Sequence, residues 1–283
     1  MRSFCTDHAI GCGEPLTGTA ALAERHLFLR WPKGNWRRPR FETVGLSDTL
    51  RAAMKAASGG GRYVGLVDGD ALELLSFPDG TRVIPRDQDH AAELVALWRE
   101  GAGLGGTPLR RTILCCTDAK TDACCARYGF PVFKALVAAA PAFDIDVLQC
   151  THIGGCHFAP SVIVMPDRQR YGRLTPAGVP DFLALIARNE IYLPAYKGNP
   201  ALDELQQSAE AAALHWADGQ VPVETITIGA VEMHSESAAT VQVHLDAVTL
   251  LVKARRQSFP VYGNCRDMDA DPKQKDRWVS SIS

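Results

Sequence analysis

Apolar residues come in short, strand-length runs over the first hundred positions. Residues 27–31, 63–67, 71–75 and 81–84 read as strands, with Asp68-Gly69 and Asp79-Gly80 as their turns. Between them, 46–57 and 87–99 carry apolar residues at helical spacing and predict two amphipathic helices. The run Gly101-Ala-Gly-Leu-Gly-Gly-Thr-Pro108 breaks the pattern and marks a boundary. After it come a strand at 111–116, an apolar helix at 131–140, and strands at 145–150 and 161–165. Pro166-Asp167 turns the chain into a strand at 170–174, and Thr175-Pro176 caps a helix through about residue 189. Beyond Leu193-Pro194, a polar, alanine-rich helix at 202–216 precedes strands at 223–231, 240–245 and 248–253. The last two form a hairpin around Asp246-Ala247, and the charged tail from 267 is expected to fray. No internal repeat is visible.

The middle order, β-α-β followed by β-β-α, is that of a thioredoxin-like fold. A crossover helix between two apolar strands makes those strands parallel. The pattern therefore predicts an α/β protein in three parts. Residues 1–105 form an N-terminal α+β region, 106–194 a thioredoxin-like core, and 195–283 a small helix-plus-β extension.

Composition narrows the function classes. The 283 residues are 46% hydrophobic and 22% charged with net charge −2, so general nucleic-acid affinity is not expected. The basic, aromatic stretch from Arg30 to Arg40 reads as a solvated loop. No apolar run reaches the roughly 18–20 residues of a membrane helix, and the N-terminus lacks a secretory apolar segment. A reducing cytoplasm is expected, where clustered cysteines serve as ligands or redox groups more often than as disulfides.

Six of the nine cysteines lie between positions 115 and 156. They form two knots, Cys115-Cys116-Thr-Asp-Ala-Lys-Thr-Asp-Ala-Cys124-Cys125 and Cys150-Thr-His152-Ile-Gly-Gly-Cys156-His157. Each follows a strand, so both fall at the C-terminal ends of neighbouring parallel strands, where α/β sheets gather functional groups. His152 and Cys156 flank paired glycines that let backbone fold around an inorganic core. Cys116 and Cys125 offer two further corners. Such a Cys₃His set suits zinc and equally a [2Fe-2S] cluster with an imidazole on one iron. The wide Cys116–Cys125 spacing is unlike the tight pairs of zinc fingers and favours the cluster.

These segments resemble the sucrase/ferredoxin-like family, whose members carry a thioredoxin-like [2Fe-2S] ferredoxin domain. The resemblance rests first on His152-Ile-Gly-Gly-Cys-His-Phe-Ala-Pro160, and then on Cys116-Thr-Asp-Ala-Lys-Thr-Asp-Ala-Cys-Cys-Ala126. Gly13-Glu-Pro-Leu-Thr-Gly-Thr-Ala20, Tyr171-Gly-Arg-Leu-Thr-Pro176 and a helix start at Tyr196-Lys-Gly198 support it. It implies Cys116, Cys125 and His152 as ligands, with Cys156 standing where the family has a second histidine. Asp118 likewise stands where histidine is expected. Cys124 and His157 are the alternates for the second and fourth ligands.

A thiolate at Cys156 adds one negative charge relative to imidazole and implies a lower reduction potential. A titratable His152 on the outer iron implies a potential that falls as pH rises. Cys115 and Cys150, inside apolar strands, are expected to be simple buried residues. Cys5 and Cys12 are expected to be inert, and Cys265 matches a cysteine near the end of family members. The expected function is a [2Fe-2S] electron carrier or redox sensor serving an undefined redox partner protein, not a stand-alone catalyst. The alternatives are a thiol–disulfide oxidoreductase, which lacks Cys-x-x-Cys here, and a zinc-stabilised binding module.

Overall fold

The computed structural model describes residues 3–167, 169–218 and 225–282. A short helix α1 (Cys5–Gly11) precedes the first βαβ unit, β1 (Arg25–Arg30), α2 (Asp48–Ala57) and β2 (Arg62–Val67). Then come β3 (Leu74–Phe77), β4 (Thr81–Val83), α3 (Gln88–Arg99) and β5 (Thr107–Pro108). The second unit is β6 (Thr112–Cys116), α4 (Ala123–Ala139), β7 (Asp146–Cys150), β8 (Val162–Met165), β9 (Gln169–Tyr171) and α5 (Val179–Ala187). The chain ends with β10 (Tyr196–Gly198), α6 (Glu204–Trp216), β11 (Ile226–Ser235), β12 (Ala238–Leu245), β13 (Val248–Val261) and β14 (Lys273–Ile282).

Ten strands form one mixed sheet in the order β10-β9-β8-β6-β7-β2-β1-β3-β4-β5. In the second unit β6 and β7 are parallel, β8 runs antiparallel on the other side of β6, and β9 follows antiparallel to β8. The predicted thioredoxin-like strand order is present. The first unit has the same plan: β2 parallel to β1, then β3 and β4 antiparallel in turn. The chain thus repeats one topology twice, although no repeat is readable in its residues. The Asp68-Gly69 turn consequently closes no hairpin, because β3 crosses to the far side of β1.

The two units join where β2 meets β7 antiparallel through Val67 and Cys150, the last residues of both strands. Thr151 N–H donates to Leu66 O (2.9 Å) and Asp68 N–H to Gln149 O (3.0 Å) across this seam. Functional loops of parallel α/β units follow the C-terminal strand ends. Joining the units end to end therefore brings both sets of loops into one cleft.

Several local expectations are corrected. Helix α4 starts at Ala123, eight positions before the expected start at 131, because Asp122 caps it by accepting from Cys124 N–H (2.8 Å). Pro131 lies inside this helix and does not begin it. Tyr196–Gly198 is a strand paired with β9, not a helix start. The tail does not fray: β14 pairs with β13 from Lys273 through Ile282. The four strands β11 to β14 form a separate antiparallel sheet whose apolar face packs on α6 through Leu205, Ala209, Val241 and Trp278. Part of the expected strand 223–231, residues 223 and 224, lies outside the described residues. The helical stretch Ala123–Phe143 is apolar and long enough for a membrane span, against expectation. It is a core helix here, with Val132 and Leu136 buried against β6, β8 and α5.

Candidate metal centre

Cys116 closes β6, and Cys125 sits in the first turn of α4 immediately beyond the connecting loop. His152 and Cys156 come from the loop that leaves β7. Cys116, Cys125 and Cys156 are buried and His152 is half-buried. Their donor atoms converge. Cys125 Sγ lies 4.0 Å from Cys156 Sγ and 3.8 Å from His152 Nδ1, while Cys156 Sγ lies 3.5 Å from that nitrogen. The ligand atoms of Cys116, Cys125 and His152 all lie within 4.8 Å of one another.

The loop can bend this tightly because Gly154 and Gly155 adopt φ of 95° and 70°, which side-chain-bearing residues rarely take. A Cβ on Gly155 would also stand 2.7 Å from Lys197 Nζ. Arg170 donates to Ile153 O (2.9 Å) and Tyr63 OH donates to His152 O, so the loop is held from below and from the first unit. Asp118 ties the knots together. Its buried carboxylate accepts from His152 N–H (3.3 Å), Lys120 N–H (3.1 Å) and the Thr121 hydroxyl (2.8 Å). The position is thus a bracket for the ligand loop, a role its residue type alone does not signal.

Electrostatics favours the thiolate form of Cys116 and Cys156. A hydrogen bond from Cys125, aided by His152, outweighs burial and draws Cys116 down to about 6. The Cys125 hydrogen bond likewise draws Cys156 down to about 7. Burial pushes His152 down, but Cys116 and Cys156 beside it raise it to about 10. Cys125, donating to Cys116 and Cys156, is pushed far up. The N-terminus of α4 adds its positive pole to the same region.

The two alternates separate. Cys124 and Cys125 are consecutive on a helix, so their side chains diverge by about 100°. Cys125 faces the converged donors, whereas Cys124 Sγ lies 3.4 Å from Cys5 Sγ and 3.1 Å from Cys265 Sγ. His157 points away from the donors, with Nε2 3.4 Å from Glu14 Oε2. Cys115 and Cys150 are fully buried in strands, as expected, and Cys115 Sγ contacts Gly129 O at 3.6 Å. The Cys12 thiol lies 3.5 Å from Ala9 O, and its backbone N–H donates to His8 O (2.9 Å). Cys5 is fully buried, not a free terminal residue.

A cavity of about 500 Å³ opens onto His152 and Cys156. Arg38, Arg40 and Arg266 line it with Asp118. The stretch 30–40 is therefore no solvated loop. Trp36 is buried, and Lys33 Nζ donates to Thr117 Oγ1 (2.7 Å) and to Gln149 across the seam.

The Sucrase/ferredoxin-like family model matches residues 16–198, which span both repeated units and all four converged donors. The chain belongs to the sucrase/ferredoxin-like family. Similar solved structures include the wild-type thioredoxin-like [2Fe-2S] ferredoxin from Aquifex aeolicus, at 19% identity. The match covers 28% of this chain and 85% of that one, with a TM-score of 0.25. A cysteine-to-serine variant of the same ferredoxin matches at 19% identity over 26% of this chain and 83% of that one, with a TM-score of 0.24. Overlaps this small add nothing to the strand order described above. No curated protein matches the chain significantly. The family match ends at Gly198, so α6 and the antiparallel sheet lie beyond it.

Proposed function

We propose that this sucrase/ferredoxin-like chain is a [2Fe-2S] electron-transfer or redox-sensing protein. Cys116 and Cys125 would hold one iron, and His152 and Cys156 the other. The observation that carries this reading is the convergence of three buried thiols and one half-buried imidazole at the ends of two parallel strands. The donor set fits the group in its chemistry: three thiols and one imidazole are the soft sulfur and nitrogen donors that hold the irons of such clusters. A cluster held there would accept and release one electron.

The chain's own residues prepare the site for that chemistry. Cys116 and Cys156 are drawn toward the thiolate form, and the Gly154-Gly155 bend brings loop backbone close. Arg170 places positive charge under the ligand loop, which lowers the cost of added negative charge. A thiolate at Cys156 in place of imidazole acts in the opposite sense and lowers the potential. His152 lies at the floor of the cavity rimmed by Arg38, Arg40 and Arg266. That rim suits an acidic redox partner protein exchanging electrons through the imidazole edge. A reducing cytoplasm is the compartment in which nine unpaired cysteines would persist.

A single zinc on the same four donors is the second reading, and one observation favours it. Donor separations of 3.5–4.0 Å match the roughly 3.8 Å edge of a tetrahedron with Zn–S near 2.3 Å. Anaerobic purification with iron, sulfide and zinc analysis and a visible spectrum separates the two. About two irons and two sulfides per chain, with visible bands altered in His152→Ala, support the cluster. A colourless, iron-free, redox-inert protein rejects it.

A further inference from the structure

Cys5, Cys124 and Cys265 meet away from the four donors described above. Their sulfurs lie 3.4 Å (Cys5–Cys124), 3.1 Å (Cys124–Cys265) and 3.6 Å (Cys5–Cys265) apart, and all three thiols are unpaired. They come from α1, the first turn of α4 and the segment after β13, separated by 119, 141 and 260 positions pairwise. The Asp122 carboxylate joins them, with all four ligand atoms within 4.8 Å of one another. Asp122 is itself fixed by Cys124 N–H (2.8 Å) and Cys265 N–H (2.7 Å).

We propose that Cys5, Cys124, Cys265 and Asp122 form a second metal site, and that its ion is zinc. Three thiolates are soft donors, which select zinc, copper(I) or iron–sulfur chemistry. A fourth, hard carboxylate donor and closure of the set by protein groups alone point to a structural zinc. The sulfur separations approach the roughly 3.8 Å edge of a zinc-centred tetrahedron. The positive end of α4 lies beside Cys124 and Asp122 and favours their negative charge.

The site explains the adjacent cysteines of the first knot. One helix turn serves two centres, Cys125 facing the first and Cys124 the second. A bound ion would clip both ends of the chain onto α4, holding α1 and the residues after β13 against the repeated sheet. The assignment stands whether or not the first four donors carry a cluster.

The test is metal analysis of the full chain purified with its thiols protected, together with absorption spectroscopy at the zinc edge. The expected result is one zinc per chain with about three sulfur neighbours near 2.3 Å and one oxygen. That zinc is lost in Cys5→Ser and in Cys265→Ser and retained in Cys116→Ser. If the first donors also hold zinc, the wild type carries two and Cys5→Ser retains one. The proposal is overturned if the protein carries no zinc, if iron occupies this site, or if two of the three cysteines are found as a disulfide. Zinc retained at full stoichiometry in both Cys5→Ser and Cys265→Ser overturns it too. Should those variants fail to fold, the wild-type spectrum decides, because a sole zinc with a histidine neighbour belongs to the first donors.

Discussion

Replacing Arg277 by methionine should unclip the C-terminal sheet from the rest of the molecule. Arg277 on β14 donates to Glu14 Oε1 through Nε (2.9 Å) and Nη2 (2.6 Å). The Glu14 side chain is 0% exposed and that of Arg277 7%. At an effective dielectric constant near 20, opposite charges about 4 Å apart attract by roughly 4 kcal/mol. Breaking a buried pair from one side usually costs about 3–5 kcal/mol, because the remaining charge is stranded. For a chain of this size that is a fall in Tm of roughly 5–8 °C.

The cost should depend on pH in one direction. Burial alone would raise the Glu14 carboxyl, but His157 and Arg277 together hold it below its usual value. A depressed carboxyl contributes stability that is present above its unfolded pKa and lost as pH falls through its folded one. Arg277→Met removes that contribution, so wild type and variant should differ most near pH 7 and converge below about pH 4. Urea unfolding followed by circular dichroism at both pH values measures this. Glu14→Gln combined with Arg277→Met should recover part of the loss, since no buried charge is then stranded. A loss under about 1 kcal/mol at pH 7, or an equal loss at pH 4, would refute the reasoning.

Two other substitutions test different parts of the molecule. A Cβ on Gly129 would lie 2.1 Å from Cys116 O, and that neighbour is strand backbone which cannot swing aside. Gly129→Ala should cost about 1–3 kcal/mol and displace Cys116, seen as a lower Tm and reduced metal content; unchanged metal content would argue against this packing. Glu210 is buried, accepts from the Tyr196 hydroxyl (2.9 Å), and is raised to about 7, chiefly by burial. A raised carboxyl costs stability as pH rises from its unfolded value through its folded one. Glu210→Gln should therefore stabilise by up to about 3 kcal/mol at pH 8 and change little at pH 4, which parallel urea titrations would check.

Local pattern made most strands legible, because apolar runs and Gly or Pro punctuation are short-range signals. It failed where tertiary contacts override it. Pro131 resembled a helix start, yet Asp122 caps α4 eight residues earlier, which moved Cys124 and Cys125 from a loop onto a helix. Lys273–Ile282 looked like a fraying tail because much of the strand is exposed and polar. Only pairing with β13 and the Arg277–Glu14 contact reveal it as a strand. The duplicated topology was invisible because the two units share strand order but not ligand residues.

By itself, the sequence determined the side-chain chemistry and its address: thiols and an imidazole at the ends of two parallel strands, with glycines that permit a tight loop. The tertiary structure alone decided which donors meet. The end-to-end seam between β2 and β7 brings the basic loop over His152. The roughly 100° step between neighbouring helical residues sends Cys125 toward one set of donors and Cys124 toward another. That second set includes Cys5 and Cys265, which lie 260 positions apart, and no local pattern records a contact at that range.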